Sequence, residues 1–365
     1  MNSFLLYLKK LDWIMIISAL LLTGFGLLSI FSSSLGKGDM WNFKKQIIFF
    51  GVGIFIMILF SFFDWRYFRD DPYLIIILYF ISLLSLVGLF FFAPEIRGTK
   101  SWYRIGPFSI DPVEFLKPIL VIILAKYFSI RHIEVYRIRH IFLSGLYIAL
   151  PAVLIFLQPN LGAVLVLLCL WSGVLFVSGI KIKHFLILAF LGAVIFTASW
   201  ATILRDYQKE RILSFIQPQL SDPLKVGWNQ RQAKIAVGSG GLFGQGIFKG
   251  SQTQYGFLPE PQTDFIFASI AEETGLAGVS VLFFLFLILI WRIMKIALSA
   301  SSNFSRLFAV GFSALLISQI FINIGMNIGI LPIIGIPLPS VSYGGGGLIL
   351  TFLALGVLQN IKNNP

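Results

Sequence analysis

Charge is scarce in this chain, and two places put it where chemistry could use it. Asp264 closes the polar, proline-broken run Pro259-Glu-Pro-Gln-Thr-Asp264, directly before the apolar Phe265-Ile-Phe-Ala268. Glu114 and Lys117 follow Asp111 and Pro112 at the head of a second apolar run. A carboxylate within hydrogen-bond reach of a hydroxyl can act as a general base. An acid and a lysine three residues apart share a helix face and can pair. Plainer roles exist for both. An acid at a helix start is stabilised by free amides and the dipole, and Asp111, Pro112 and Glu114 together read as N-cap, first helical proline and capping-box acid. Ionisable groups beside hydrocarbon nevertheless tend to mark function, and that weighs in favour of Asp264.

The elements that must position these residues follow from composition. Of 365 residues, 57% are hydrophobic and 12% charged, with mean hydropathy +0.89, which excludes an ordinary soluble domain. A membrane-spanning helix takes roughly 20 apolar residues. On that measure about ten spans are expected, near 13–33, 46–63, 74–92, 113–130, 141–158, 162–180, 185–203, 265–291, 307–329 and 344–361. The expected fold is therefore an all-α polytopic membrane protein, one domain over 1–365, with a large extracytoplasmic loop at 204–264 between spans 7 and 8. Lys and Arg favour the cytoplasmic side of short loops. With the N-terminus inside, the short loops read fourteen to seven, inside positive, so both termini are expected in the cytoplasm. The 28 basic against 16 acidic residues would suit nucleic acid, anionic lipid or a phosphate-bearing substrate.

Sorting residues by side narrows the chemistry. His132, His140 and His184 all fall in expected cytoplasmic loops, so a carboxylate or lysine must do any acid–base work outside. Cys169, the single cysteine, permits neither an intramolecular disulfide nor a cysteine metal cluster. Six glycines between Gly238 and Gly250, following Arg231 and Lys234, suggest a tightly turning backbone that could offer amides to phosphate oxygens. No buried strand precedes them, so a dinucleotide fingerprint is not expected. The uncharged break Leu331 to Gly347 is rich in Pro and Gly, a composition tolerated at membrane depth where backbone lines a cavity or is buried in protein.

Taken together, these motifs resemble the SEDS family of bacterial shape, elongation, division and sporulation proteins. The resemblance is carried by the glycine-rich loop, Lys249-Gly-Ser-Gln-Thr-Gln254, Phe257-Leu-Pro-Glu260, Thr263-Asp-Phe-Ile-Phe-Ala268, Ala271-Glu-Glu273, Gly335-Ile-Pro-Leu-Pro339 and Ser342-Tyr-Gly-Gly345. The short termini look more like the RodA branch than the FtsW branch. Two departures stand out: Asp111-Pro-Val-Glu114 replaces the family's Gln-Pro-Ser-Glu, and Asn160 replaces the acid of Gln-Pro-Asp-Leu-Gly.

The resemblance implies a peptidoglycan glycosyltransferase of the bacterial cytoplasmic membrane. It would polymerise lipid II at the outer leaflet and release undecaprenyl pyrophosphate, in cell-wall elongation and shape control. Asp264 matches the catalytic acid, and Glu114 with Lys117 the charged pair beneath it. Arg211, Arg231, Lys234, Lys249, Gln254 and Ser342 are the candidate substrate-binding residues. A divalent cation, Mg or Mn, is compatible with such a site, and no residue pattern demands one. The implied partners are a class B penicillin-binding protein, lipid II with the nascent glycan, and the bilayer, with no nucleic acid. Two rivals remain: a lipid II flippase and a non-catalytic scaffold for the penicillin-binding protein.

Overall fold

The computed structural model describes residues 10–95, 99–106, 108–131, 138–202, 206–216 and 226–364. Arg97, His132, Arg205 and Lys225 lie outside these. The chain is almost wholly helical. Ten long helices occupy the expected apolar stretches: α1 (Trp13–Lys37), α2 (Trp41–Phe62), α4 (Pro72–Phe92), α5 (Pro112–Ile130), α6 (Ile138–Leu157), α7 (Leu161–Val177), α8 (Ile182–Thr202), α12 (Ile266–Ser299), α13 (Asn303–Ile328) and α14 (Gly345–Asn363). Eight of them are long and apolar enough to cross a membrane. Of the others, α7 has 17 residues, and α5 carries Glu114, Lys117 and Lys126. A five-residue helix, α3 (Arg66–Asp70), precedes α4.

Local chemistry sets many of the helix starts. The Asp12 side chain accepts from the Met15 amide, Asp71 from Tyr73 and Leu74, Asp111 from Val113, and Asn160 from Ala163. Pro72 and Pro112 then occupy first helical positions, where a missing N–H costs nothing. Neutral Asn160 thus does the capping that an acid could do. His140 and His184 sit within the first turns of α6 and α8 rather than in loops, because those helices begin about a turn earlier than their apolar runs.

The 204–264 region is itself folded. It contains α9 (Asp206–Ile216), α10 (Val226–Ser239) and the single turn α11 (Ser251–Gln254). Between α4 and α5 a small antiparallel ladder pairs β1 (Tyr103–Ile105) with β2 (Phe108–Ile110), Tyr103 opposite Ile110. Gly106, at φ 58°, supplies the left-handed turn that a side chain resists.

α13 is the bundle's axis. It packs on α12, α5 and α7 and is mostly buried, whereas no residue described in α8 is fully buried. α14 lies along α2, and α1 along α12. A polar knot joins the two ends of the chain: Arg292 grips the Asp12 carboxylate in a bidentate pair, Lys362 lies 3.4 Å from it, and Gln359 accepts from the Asp12 amide. The start of α1 and the end of α14 therefore share one end of the bundle; α11 lies at the other, against the Ser32–Gly36 end of α1.

Candidate active site

Asp264 falls just before α12, whose N-cap is Phe265, and not within its first turn. Its main chain is fixed from α13, where Asn323 and Asn327 both donate to the Asp264 carbonyl at 3.0 Å. Its carboxylate faces Gly335, where an added Cβ would come within 3.4 Å of Oδ2. Gly335 has φ 72°, so a side chain there would be strained, while its Cβ would touch the carboxylate only at ordinary contact distance. One residue earlier, the Thr263 carbonyl accepts from the Ser342 hydroxyl at 2.7 Å, and Ser342 in turn accepts from the Leu338 amide at 2.8 Å. The Tyr343 amide donates to the Gln262 carbonyl at 2.8 Å. These bonds lock the segment bearing Asp264 to the Pro/Gly-rich break before α14.

That break walls a cavity of about 220 Å³, lined also by Trp102, Phe108, Asp111 and Glu114. Glu114 does not act as the capping-box acid. It turns to Lys117, with Oε1 2.6 Å from Nζ, and the lysine is only 3% exposed. The bare α-carbon of Gly347 leaves room for the other oxygen, since a Cβ there would lie 3.2 Å from Oε2. Burial, reinforced by the charge of Glu114, pushes the Asp111 carboxyl up to about 7, against the opposing pull of Lys117 and the Val113 amide. The cavity therefore carries two acids sharing one buried ammonium.

The remaining candidates divide. Gln254 donates to Ser32 at 2.7 Å and to Glu273 at 3.3 Å, so it pins α11 to α1 and α12. Ser342 spends its hydroxyl as described above. Both thus tie segments of the chain together, and Ser342 also lines the cavity beside Glu114. The Lys234 side chain arches over Gly329, at the C-terminal end of α13, two residues beyond the Asn327 that holds Asp264. Arg231 and Lys249 are exposed. Arg211 lies apart, on a much larger apolar cavity of about 1060 Å³ between α6, α7, α8 and α9.

The glycine-rich loop also spends its amides within the chain. α12 is broken at Gly275 (φ 63°, ψ −166°), which frees carbonyls above the break and amides below it. Gln245 and Gly246 donate to the carbonyls of Glu272 and Glu273 at 2.9 and 3.1 Å, while Leu276 and Ala277 donate to those of Gly241 and Leu242 at 2.9 and 3.0 Å. The approach requires glycines: a Cβ at Gly240 would lie 1.9 Å from the Ala271 carbonyl oxygen, and one at Gly244 2.1 Å from that of Glu273.

Side-chain reasoning missed the work of Glu272 and Glu273, which entered only as part of a motif. Glu272 is fully buried and accepts from the Gln252 and Thr253 amides, the Thr253 hydroxyl and the Ser251 hydroxyl. Glu273 accepts from Ser32 and Gln254. Two adjacent acids inside an apolar run were the available signal, because such charge needs partners.

A family model described as "Cell cycle protein" and named for FtsW, RodA and SpoVE matches residues 12–365. The chain belongs to this family. It is 36% identical to the stage V sporulation protein E of Bacillus subtilis, covering 96% of each chain. To the peptidoglycan glycosyltransferase MrdB of Escherichia coli K12 it is 35% identical, over 97% of this chain and 94% of that one. Among solved structures, a chain from a peptidoglycan synthase complex coordinating polymerization and crosslinking matches with TM-score 0.83 at 30% identity, covering 97% of this chain and 98% of that one. The rod shape determining protein RodA of Thermus thermophilus matches with TM-score 0.72 at 28% identity, over 97% of each. Identity is nearly level between the sporulation and MrdB relatives, so overall similarity assigns this family member to no one branch.

Proposed function

We propose that this chain, a peptidoglycan glycosyltransferase, polymerises lipid II at the outer leaflet of the bacterial cytoplasmic membrane with Asp264 as general base. The observation that carries this reading is the fixation of Asp264: its carbonyl is held by two asparagines, its carboxylate stands against a bare glycine, and its chain neighbour is bonded to the cavity wall. A base held in this way loses little freedom on meeting its substrate. As a sugar hydroxyl of one lipid-linked disaccharide attacks the anomeric carbon of the growing glycan's lipid-linked end, Asp264 takes the hydroxyl proton. The bond to the carrier breaks, and undecaprenyl pyrophosphate leaves with the electron pair. Cations stabilise the charge that gathers on it. Lys234, over Gly329 at the end of α13, is one candidate, with Arg231 and Lys249, exposed like it, for first contact. Arg211 is better placed to meet the carrier's phosphates than the reacting sugars. The buried Lys117, paired with Glu114, sets the potential of the cavity.

A divalent cation, Mg or Mn, finds no complete protein site, since among the described residues no three His, Cys, Asp or Glu side chains gather to hold one. Any ion would take most of its ligands from pyrophosphate. The likeness to a chain of a synthase complex supports a class B penicillin-binding protein as partner. The inside-positive short loops support cytoplasmic termini and an extracytoplasmic site.

The test is lipid II polymerisation by purified protein in liposomes. Asp264→Asn is expected to lower the rate by about 10²–10⁴-fold while leaving thermal stability near that of the wild type. Glycan chains made at equal rates by both proteins would sink the general base. Lipid II transfer across the bilayer without polymerisation, partner present, would favour the flippase; full cell-shape function of Asp264→Ala would favour the scaffold.

A further inference from the structure

The polar knot and the helix rise together supply a ruler across the bundle. Arg292, beside the exposed Trp291 and paired with Asp12 next to the exposed Trp13, marks the interface at the end bearing the termini, where aromatic and basic residues concentrate. At 1.5 Å per residue, Ser32 lies about 30 Å above Asp12. Ser32 is hydrogen-bonded to Glu273, so this rung between α1 and α12 lies where a hydrocarbon core roughly 30 Å thick comes to its end. Leu276 lies about 24 Å above Arg292 on the same scale, inside that limit.

The glycine-rich loop is docked at that inner level. Gly241 and Leu242 accept from the amides of Leu276 and Ala277, which places Leu242 and Phe243 beside the upper turns of α12 and below the Ser32–Glu273 rung. Leu242 is 65% exposed and Phe243 82%. They continue a stripe of exposed apolar residues down α12 through Leu276, Phe284, Leu287 and Trp291. The stripe ends at the tryptophan of the opposite interface, so lipid is what covers it. Part of the nearby backbone is bonded within the chain: the amides of Gly244, Gln245 and Gly246 and the carbonyls of Gly241 and Leu242.

We propose that the loop of residues 238–250 is a membrane-contacting element, with Leu242 and Phe243 seated among the acyl chains of the leaflet at the end away from the termini. The inference goes beyond the catalytic reading and does not depend on it. It would anchor the glycine-rich loop, and through Glu272 and Glu273 the α11 turn, to the leaflet itself. Tyr255 provides the contrast. It is 78% exposed on the same loop region, but its neighbour Gln254 packs on Gly36, about 36 Å above Asp12 and so beyond the hydrocarbon.

The test places a fluorophore at Phe243→Cys, Leu242→Cys or Tyr255→Cys in a Cys169→Ala background, in liposomes of phosphatidylethanolamine and phosphatidylglycerol free of other proteins. Quenching is read with nitroxide-labelled acyl chains and with iodide on both sides. Labels at 242 and 243 are expected to be quenched several-fold more by the acyl nitroxide than by iodide, and the label at 255 the reverse. Iodide quenching at 243 equal to that at 255 would overturn the proposal, as would a label at 243 shielded from both quenchers. Two sites are read in parallel, so misfolding of one variant leaves the other to decide.

Discussion

The chain carries two carboxylate pairs of similar make-up that are used in opposite ways. Asp111 and Glu114 are half-buried on the wall of a cavity, with one buried lysine as their common counter-charge. Glu272 and Glu273 are buried inside α12, and donors from α11 and α1 fill them. A carboxylate saturated by amides and hydroxyls becomes part of the scaffold. One balanced by a single ammonium beside open space keeps capacity for a ligand and remains electrically sensitive to it.

The largest effect should come from emptying the saturated pair. Glu272→Ala takes the acceptor from the Gln252 and Thr253 amides and the Ser251 hydroxyl, while the Thr253 hydroxyl keeps Ser269, and a loss of roughly 2–4 kcal/mol is expected. Thermal unfolding in detergent checks this, and Glu272→Gln should recover part of the loss. A Glu272→Ala protein as stable as wild type would erase the distinction between the pairs.

Next comes the cavity pair. Glu114→Ala removes the carboxylate hydrogen-bonded to the buried Lys117 ammonium and leaves Asp111 as its remaining counter-charge, at a cost of up to about 3 kcal/mol. The double variant Glu114→Ala, Lys117→Met should restore stability to within about 1 kcal/mol of wild type, because the poorly compensated ammonium has gone and Asp111, without the pull of Lys117, is held in its neutral form by burial. Polymerisation should stay low in both. Restored activity in the double variant would assign the pair to structure alone.

A smaller effect is expected from pH. The Asp111 carboxyl titrates near 7 when folded, above its ordinary 3.8, so the folded state binds the proton more tightly than the unfolded state. The stability this confers is complete below about pH 4 and is lost as pH rises through about 7. Asp111→Asn should flatten that decline, read as melting temperature against pH from 4 to 8. An unchanged slope would mean that Asp111 is ionised throughout.

The smallest effect is expected at Lys249, which is exposed. Lys249→Ala should alter stability by less than about 0.5 kcal/mol. It should weaken use of lipid II only at low ionic strength, with the difference vanishing by about 1 M salt; a difference that survives high salt would place Lys249 inside the site rather than at its rim.

Much of this was legible in the sequence. Asp71-Pro72 and Asp111-Pro112 announce helix starts because capping is a contact between near neighbours. The apolar runs announce the long helices because length and composition suffice. The pairing of Glu114 with Lys117 follows from a spacing of three. Less legible were Gln254 and Ser342, which resemblance made substrate contacts and the fold uses as internal ties. Their partners are Ser32 and Thr263, 222 and 79 residues away, and no local pattern encodes such a distance. The six glycines invited a phosphate-binding reading for a similar reason. Glycine signals close approach without saying to what, and here the answer is the broken backbone of α12.

The sequence by itself determined where the helices run, how several of them begin, which residues are ionisable at the ends of apolar runs, and the family. All of these rest on composition, short spacing or ordered motifs. Only the tertiary structure decided which acids face a cavity and which are consumed, that Asp264 is held through its carbonyl by α13, and that the glycine-rich loop docks on a helix break. Those outcomes depend on hydrogen bonds between distant segments, and a donor's partner is chosen by what the packed helices bring within 3 Å of it, not by what lies beside it in the chain.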